Sequence, residues 1–230
     1  AVPMYTMEDA LAAIELLRPI PYHESAEVIE GVSIRLLDAG HLLGSASIEV
    51  TVNENGSITK LLFSGDLGNR NRPLIRDPEM PDSAVDYVVI ESTYGTREHG
   101  ERMDYTEQMA NILQSTFDKG GNVVIPAFAV GRTQEMLYLI REIKEKGLVK
   151  GHDDFPVWID SPLAIEATNI YSQDMLSYCD EATAEIIRGG VNPLRFPGLN
   201  VSLTSDQSRL INEDRTPKVI LSASGMCDAG

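Results

Sequence analysis

Gly120-Gly121-Asn122-Val123-Val124-Ile125-Pro126-Ala127-Phe128-Ala129-Val130-Gly131-Arg132-Thr133 sets the fold class of this chain. The glycine pair stops the helix expected over Asp104 to Asp118. Asn122 to Pro126 is a short apolar run of the buried-strand type, and Arg132 opens a helix that Gly147 ends near Lys146. The same alternation continues outward. Val157 to Asp160 reads as a strand, and Ser161-Pro162 supplies a cap and an N1 proline for the next helix. Helical pieces follow in Gln173 to Tyr178 and Asp180 to Arg188, then a strand at Asn200 to Leu203, a helix capped by Thr204, and a strand at Lys218 to Leu221. Alternating strands and helices of these lengths predict α/β architecture with a doubly wound parallel sheet.

Upstream the pattern differs. Thr6-Met7-Glu8-Asp9 followed by Ala10, Leu11, Ile14 and Leu17 has a cap, first-turn acids and helical spacing, and should end before Pro19. Val32 to Leu37 alternates like a strand. Ala46 to Val52 and Ile58 to Ser64 flank Asn53-Glu54-Asn55-Gly56-Ser57, a hairpin signal. Tyr87 to Ile90 is a further short strand with Glu91 at its exit. The boundary between the two patterns falls near residues 95 to 103, which gives a first domain over 1–102 and a second over 103–230.

The chain has 230 residues, 43% of them hydrophobic, and a net charge of −16. It is long enough for one large or two small cored domains. The acidity is general: 17 acidic against 8 basic residues up to residue 102, and 18 against 11 beyond it. Such a charge repels polyanions at long range and counts against general nucleic-acid binding, though not against a local basic groove. Asn69-Arg70-Asn71-Arg72-Pro73-Leu74-Ile75-Arg76, with Arg97, Arg102 and Arg132, is the candidate groove; a solvated loop offsetting nearby carboxylates is an equal reading. Cys179 and Cys227 form no disulfide framework, which fits a reducing, cytoplasmic compartment. No apolar run approaches a membrane span.

Asp38-Ala39-Gly40-His41-Leu42-Leu43-Gly44-Ser45 and Phe63-Ser64-Gly65-Asp66-Leu67-Gly68-Asn69 each place one potential metal ligand at a strand end. By themselves His41 is a surface or hydrogen-bonded histidine, Asp66 a turn cap and Glu91 a strand-end acid. Asp160 reads as a local hydrogen-bonding acid of a strand-to-helix loop. No H-x-H or H-x-x-x-H pair completes a metal cage. Ala129 to Thr133 follows a strand and opens a helix, so free backbone N–H groups and the Arg132 guanidinium could face one anion. Ser222-Ala223-Ser224-Gly225-Met226 is a second small-residue loop after a strand. Tight strand-to-helix packing is the alternative reading of both loops. His23, His99 and His152 carry no motif and read as surface residues.

These segments, with Glu91-Ser92-Thr93-Tyr94-Gly95, Ile125 to Arg132 and Ile159-Asp160-Ser161-Pro162-Leu163-Ala164, resemble the metallo-β-lactamase-fold hydrolases, and more narrowly their β-CASP branch of RNA- and DNA-processing nucleases. The resemblance implies a partial αββα sandwich followed by most of a β-CASP domain. It implies a zinc-dependent phosphodiesterase acting on RNA, single-stranded RNA included. His41 and Asp66 would hold metal, Asp66 bridging two zinc ions; Asp66 and Glu91 would serve catalysis; Arg132, Ser224 and Gly225 would meet the phosphate backbone. The two zinc ions would generate hydroxide and neutralise charge developing on phosphate. The family's H-x-H-x-D-H loop and C-terminal histidines fall outside residues 1 to 230. The chain is therefore expected to be an internal fragment, inactive alone, with zinc absent or partial. A homo-oligomer is expected where the sheet of residues 32 to 91 exposes an apolar face. Two other readings stay open: a non-catalytic RNA- or protein-binding β-CASP module, and a hydrolase of small thioesters or lactams.

Overall fold

The computed structural model describes residues 3–98 and 104–223. Ser224, Gly225, His99, Arg102 and Cys227 lie outside the described residues. By contact the chain divides into two units. The first comprises the chain up to Ala39, Ala46–Leu67 and Glu79–Glu91; the second comprises Gly40–Ser45, Gly68–Pro78 and the chain from Ser92 on.

In the first unit, helix α1 (Met7–Glu15) begins at a capping box, with the Thr6 hydroxyl accepting from the Asp9 amide and the Asp9 carboxylate accepting from Thr6. Five strands form one sheet in chain order: β1 (Ser25–Ile29), β2 (Val32–Asp38), β3 (Ala46–Glu54), β4 (Ser57–Phe63) and β5 (Tyr87–Val89). The first four are antiparallel neighbours, and β5 runs parallel to β4. The expected hairpin is tighter than its five-residue signal, because pairing continues to Glu54 opposite Ser57. Asn55 and Gly56 turn the chain alone, both at positive φ (52° and 84°), as in the two-residue turns that match strand twist. Strand β1 was not expected from the sequence, since Glu24, Glu27 and Glu30 mask its pattern. Leu37 and Ala39 are buried, yet Tyr87, Val88, Val89 and Ile90 are each more than half exposed and α1 buries no residue.

The second unit holds the main core. Helix α2 (Tyr105–Phe117) is capped by Asp104, whose carboxylate accepts from the Thr106 and Glu107 amides. Then follow β6 (Val123–Pro126), α3 (Arg132–Glu145), β7 (Val157–Asp160), α4 (Pro162–Gln173), a 3-10 turn at Met175–Ser177, α5 (Glu181–Arg188), β8 (Leu199–Val201), α6 (Ser205–Glu213) and β9 (Val219–Ser222). The Ser161 cap, Pro162 at N1 and the Thr204 cap stand where the sequence put them. The 3-10 turn replaces the helical piece expected over residues 173–178, because α4 itself runs on to Gln173.

The strands pair in the order β6-β9-β7-β8, every pair parallel, with helices between successive strands. This is α/β architecture with a parallel sheet. Leu113, Phe117, Leu137, Ile140, Ile143, Val157, Ile159, Val219 and Leu221 come from helix and strand alike and are fully buried in one cluster. Lys218 is also fully buried; its ammonium donates to the Asp214 and Ile211 carbonyls at the end of α6. Asp160, at the end of β7, accepts the Ser208 hydroxyl at 2.8 Å, the local bond its strand-end position suggests.

Candidate functional site

Because β4 and β5 are parallel, their C-terminal ends lie side by side, and each carries one expected site residue just beyond it. The Ser64 amide donates to the Val89 carbonyl at 2.9 Å, continuing the ladder past the strand end. The Ser64 hydroxyl accepts the Glu91 amide at 3.0 Å, and the Ser64 carbonyl accepts the Ser47 hydroxyl at 2.8 Å. Glu91 Oε1 then accepts the Leu67 amide at 3.1 Å. The segment that carries Asp66 is thus fastened at Ser64 before it and at Leu67 after it. Asp66 itself is exposed at the tip.

In the second unit, His41 and Arg132 share one cleft of about 520 Å³. The His41 turn is held by Ser45, whose hydroxyl accepts the His41 and Leu42 amides, each at 3.1 Å. The Leu43 amide donates to the Tyr171 hydroxyl at 3.1 Å, which ties this turn to α4; burial raises the Tyr171 phenol above its ordinary range. Leu42 meets Gly131: a Cβ on Gly131 would stand 2.1 Å from Leu42 Cδ2. Two segments singled out separately in the sequence therefore pack against each other. Gly68 likewise sits against the Gly40 carbonyl, where a Cβ would come within 1.6 Å of the oxygen.

The start of α3 differs from the expectation of free backbone donors. The Gly131 amide donates to Gln134 Oε1 at 2.6 Å, the Arg132 amide to the Val130 carbonyl and the Thr133 amide to the Phe128 carbonyl, each at 3.2 Å. Gln134 takes up the first of these, and backbone carbonyls the other two. Gln134 is fully buried and also donates through Nε2 to the Ala129 carbonyl at 3.1 Å and to the Thr168 hydroxyl at 2.9 Å. What faces the cleft is side-chain chemistry. Glu135 Oε2 accepts from Arg132 at 2.5 Å, and its Oε1 accepts from Arg72 at 3.1 Å. The Asn69 to Arg76 loop therefore does contribute to a basic cleft, through Arg72. Arg76 is used elsewhere, donating to the Cys179 carbonyl at 3.2 Å. His152 is more than a bare surface histidine, because its ring pairs with Asp118 at 3.0 Å and packs edge-on to Phe117.

Asp66 and Glu91 fall in the first unit, His41 and Arg132 in the second. Among the described residues no group of three or more His, Cys, Asp or Glu side chains converges to hold a metal ion. A zinc cage would need donors besides the described residues. Glu135, Gln134 and Tyr171 were not singled out in the sequence. Gln134 stands at the third helical position, where a Ser or Thr cap would have announced a capping box; the cap is Gly131, which has no side chain to announce it.

The Beta-Casp domain family matches residues 133–230. Similar proteins extend over almost the whole chain. Ribonuclease TTHA0252 of Thermus thermophilus is 35% identical over 99% of this chain and 50% of its own length. Endoribonuclease YSH1 of Yarrowia lipolytica is 30% identical over 99% of the chain and 26% of its own length. Transcription termination factor FttA of Methanocaldococcus jannaschii is 30% identical over 98% and 35% respectively. The chain spans half or less of these relatives. The parallel α/β sheet of the second unit, its Beta-Casp match and relatives similar along almost the whole chain fit a chain of metallo-β-lactamase and β-CASP type.

Proposed function

We propose that the protein is a metal-dependent phosphodiesterase that cleaves RNA. The single observation that carries this reading is its similarity, along nearly its whole length, to proteins named ribonuclease and endoribonuclease. The site geometry supports it in two places. The Asp66 loop is fixed by Ser64 and Glu91, as a residue that must present a carboxylate requires, and the His41–Arg132 cleft presents cations to an anionic strand. Asp66 and His41 have the donor chemistry of zinc ligands, and zinc is the metal of this reading; bound, it would supply Lewis acidity and a hydroxide nucleophile.

Within the chain, Glu91 acts as a positioning residue by holding the Leu67 amide, and Arg132 engages the phosphate backbone. Ser224 and Gly225 keep the substrate-lining role that the resemblance implies. A cytoplasmic location and a homo-oligomer belong to the same reading. The exposed Tyr87 to Ile90 edge supports association with a second copy, and a clean monomer by light scattering would contradict it.

A substrate panel tests the function. Labelled single-stranded RNA, DNA of the same sequence, a thioester and a β-lactam are offered to the chain and to a version extended at both ends, with and without chelator. Chelator-sensitive cleavage of RNA by the extended version supports the proposal. Turnover of the thioester or lactam alone would favour a small-molecule hydrolase, and tight RNA binding without cleavage a binding module.

A further inference from the structure

The cleft of the second unit combines two chemistries in one place. On its polar side, Glu135 holds Arg72 and Arg132 through its two carboxylate oxygens, so two guanidiniums are fixed beside each other. The Glu135 side chain is largely buried, at 12% exposure, while Arg132 and Arg72 keep 48% and 34%. Each guanidinium has five N–H donors in a planar fork, and Glu135 engages one nitrogen of each. The trio still carries net positive charge in a chain of net charge −16.

On its apolar side stand Phe128, just beyond β6, and Leu163, in the first turn of α4, 62% and 65% exposed. Phe128 is not loose. Its carbonyl accepts both the amide and the hydroxyl of Thr133, at 3.2 and 2.8 Å, and Thr133 is fully buried. The pinned backbone presents the ring to solvent as an open π-face, and only its side-chain torsions remain to be ordered when a base stacks on it.

We infer that this cleft is a seat for one nucleotide unit of a single strand: Arg72 and Arg132, aligned by Glu135, bind one backbone phosphate, and Phe128 stacks on the adjoining base. The seat rests on the reading of the protein as one that acts on RNA. It adds two residues, Arg72 and Phe128, and gives Glu135 a positioning role. Stacking tolerates any base and needs a base that is unpaired, so the seat selects single strands over duplex.

The test is fluorescence anisotropy of a short labelled oligoadenylate, and of the same strand made abasic, across a salt series. Circular dichroism melts confirm that each variant is folded. Phe128→Ala weakens binding of the base-bearing strand about 5- to 100-fold and leaves the abasic strand unchanged. Phe128→Leu, which keeps apolar bulk without a π-face, behaves like Phe128→Ala. Arg72→Gln with Arg132→Gln weakens both strands and flattens the dependence of log K on log salt by about 0.7, the contribution of one phosphate. Glu135→Gln adds positive charge yet weakens binding if alignment matters; tighter binding would overturn the aligned clamp. RNA binding that none of these variants changes overturns the seat and leaves the RNA reading standing. No binding of single-stranded RNA by the unaltered chain overturns both.

Discussion

Gly131→Ala is the perturbation that most sharply probes the packing of the His41 turn on the start of α3. Two costs add. Gly131 lies at φ 84°, ψ −71°, a γ-turn conformation that costs an L-residue about 1–3 kcal/mol. The new methyl would also sit 2.1 Å from Leu42 Cδ2, far inside the 3.4 Å at which ordinary contact begins. Forcing a methyl into such a contact costs about 1–3 kcal/mol, for a total of about 2–6 kcal/mol. Urea unfolding of wild type, Gly131→Ala, Leu42→Ala and the double variant separates the two terms. Removing Leu42 relieves the steric part and leaves the backbone part, so the double variant should be more stable than the sum of the singles implies, by about 1–3 kcal/mol. Additivity within about 0.5 kcal/mol would refute the contact, and an unchanged midpoint for Gly131→Ala would refute the whole argument.

Gln134→Leu leaves the Gly131 amide and the Ala129 carbonyl without their partner in a buried place, and should lower stability by about 2–4 kcal/mol in the same urea experiment. Glu91→Ala should speed hydrogen exchange of the Leu67 amide at least about tenfold, whereas Glu91→Gln, which keeps an acceptor oxygen, should not; equal rates in both would remove Glu91 from its positioning role. Burial pushes the Cys179 thiol above its ordinary 9.0. The unfolded thiol therefore ionises first as pH rises. Stability is full below pH 9.0 and falls as pH climbs toward the folded value, so Cys179→Ala should flatten that alkaline loss in melts taken across the range. An identical alkaline slope in the variant would place the loss elsewhere, with Tyr138 and Tyr171, both raised by burial, the next groups to test.

Much of the fold was legible because its signals are local. Asn55-Gly56 between apolar runs, Ser161-Pro162 before a helix and Gly120-Gly121 after one each act within a few residues, and the structure has a turn or cap at all three. Strand β1 escaped because Glu27 interrupts it and Glu24 and Glu30 flank it, and it is held by pairing with β2 rather than by burial. The site was legible as motifs and illegible as a network. Nothing local ties Arg72 to Glu135, sixty-three residues apart, or Leu43 to Tyr171, one hundred and twenty-eight apart. Gln134 illustrates the same limit at short range, since its bond to the Gly131 amide takes up one of the free donors that the glycine-arginine loop suggested. Tertiary partners decide which donors remain for a ligand, and sequence spacing does not report them.

The proposed activity is RNA cleavage dependent on Asp66. It is tested most directly by zinc content from inductively coupled plasma mass spectrometry beside single-turnover cleavage of labelled RNA, for the chain extended at both ends and its Asp66→Ala variant. About two zinc ions per extended chain, with cleavage that falls to background in the variant, is the predicted result. Cleavage that persists undiminished in Asp66→Ala would contradict the account.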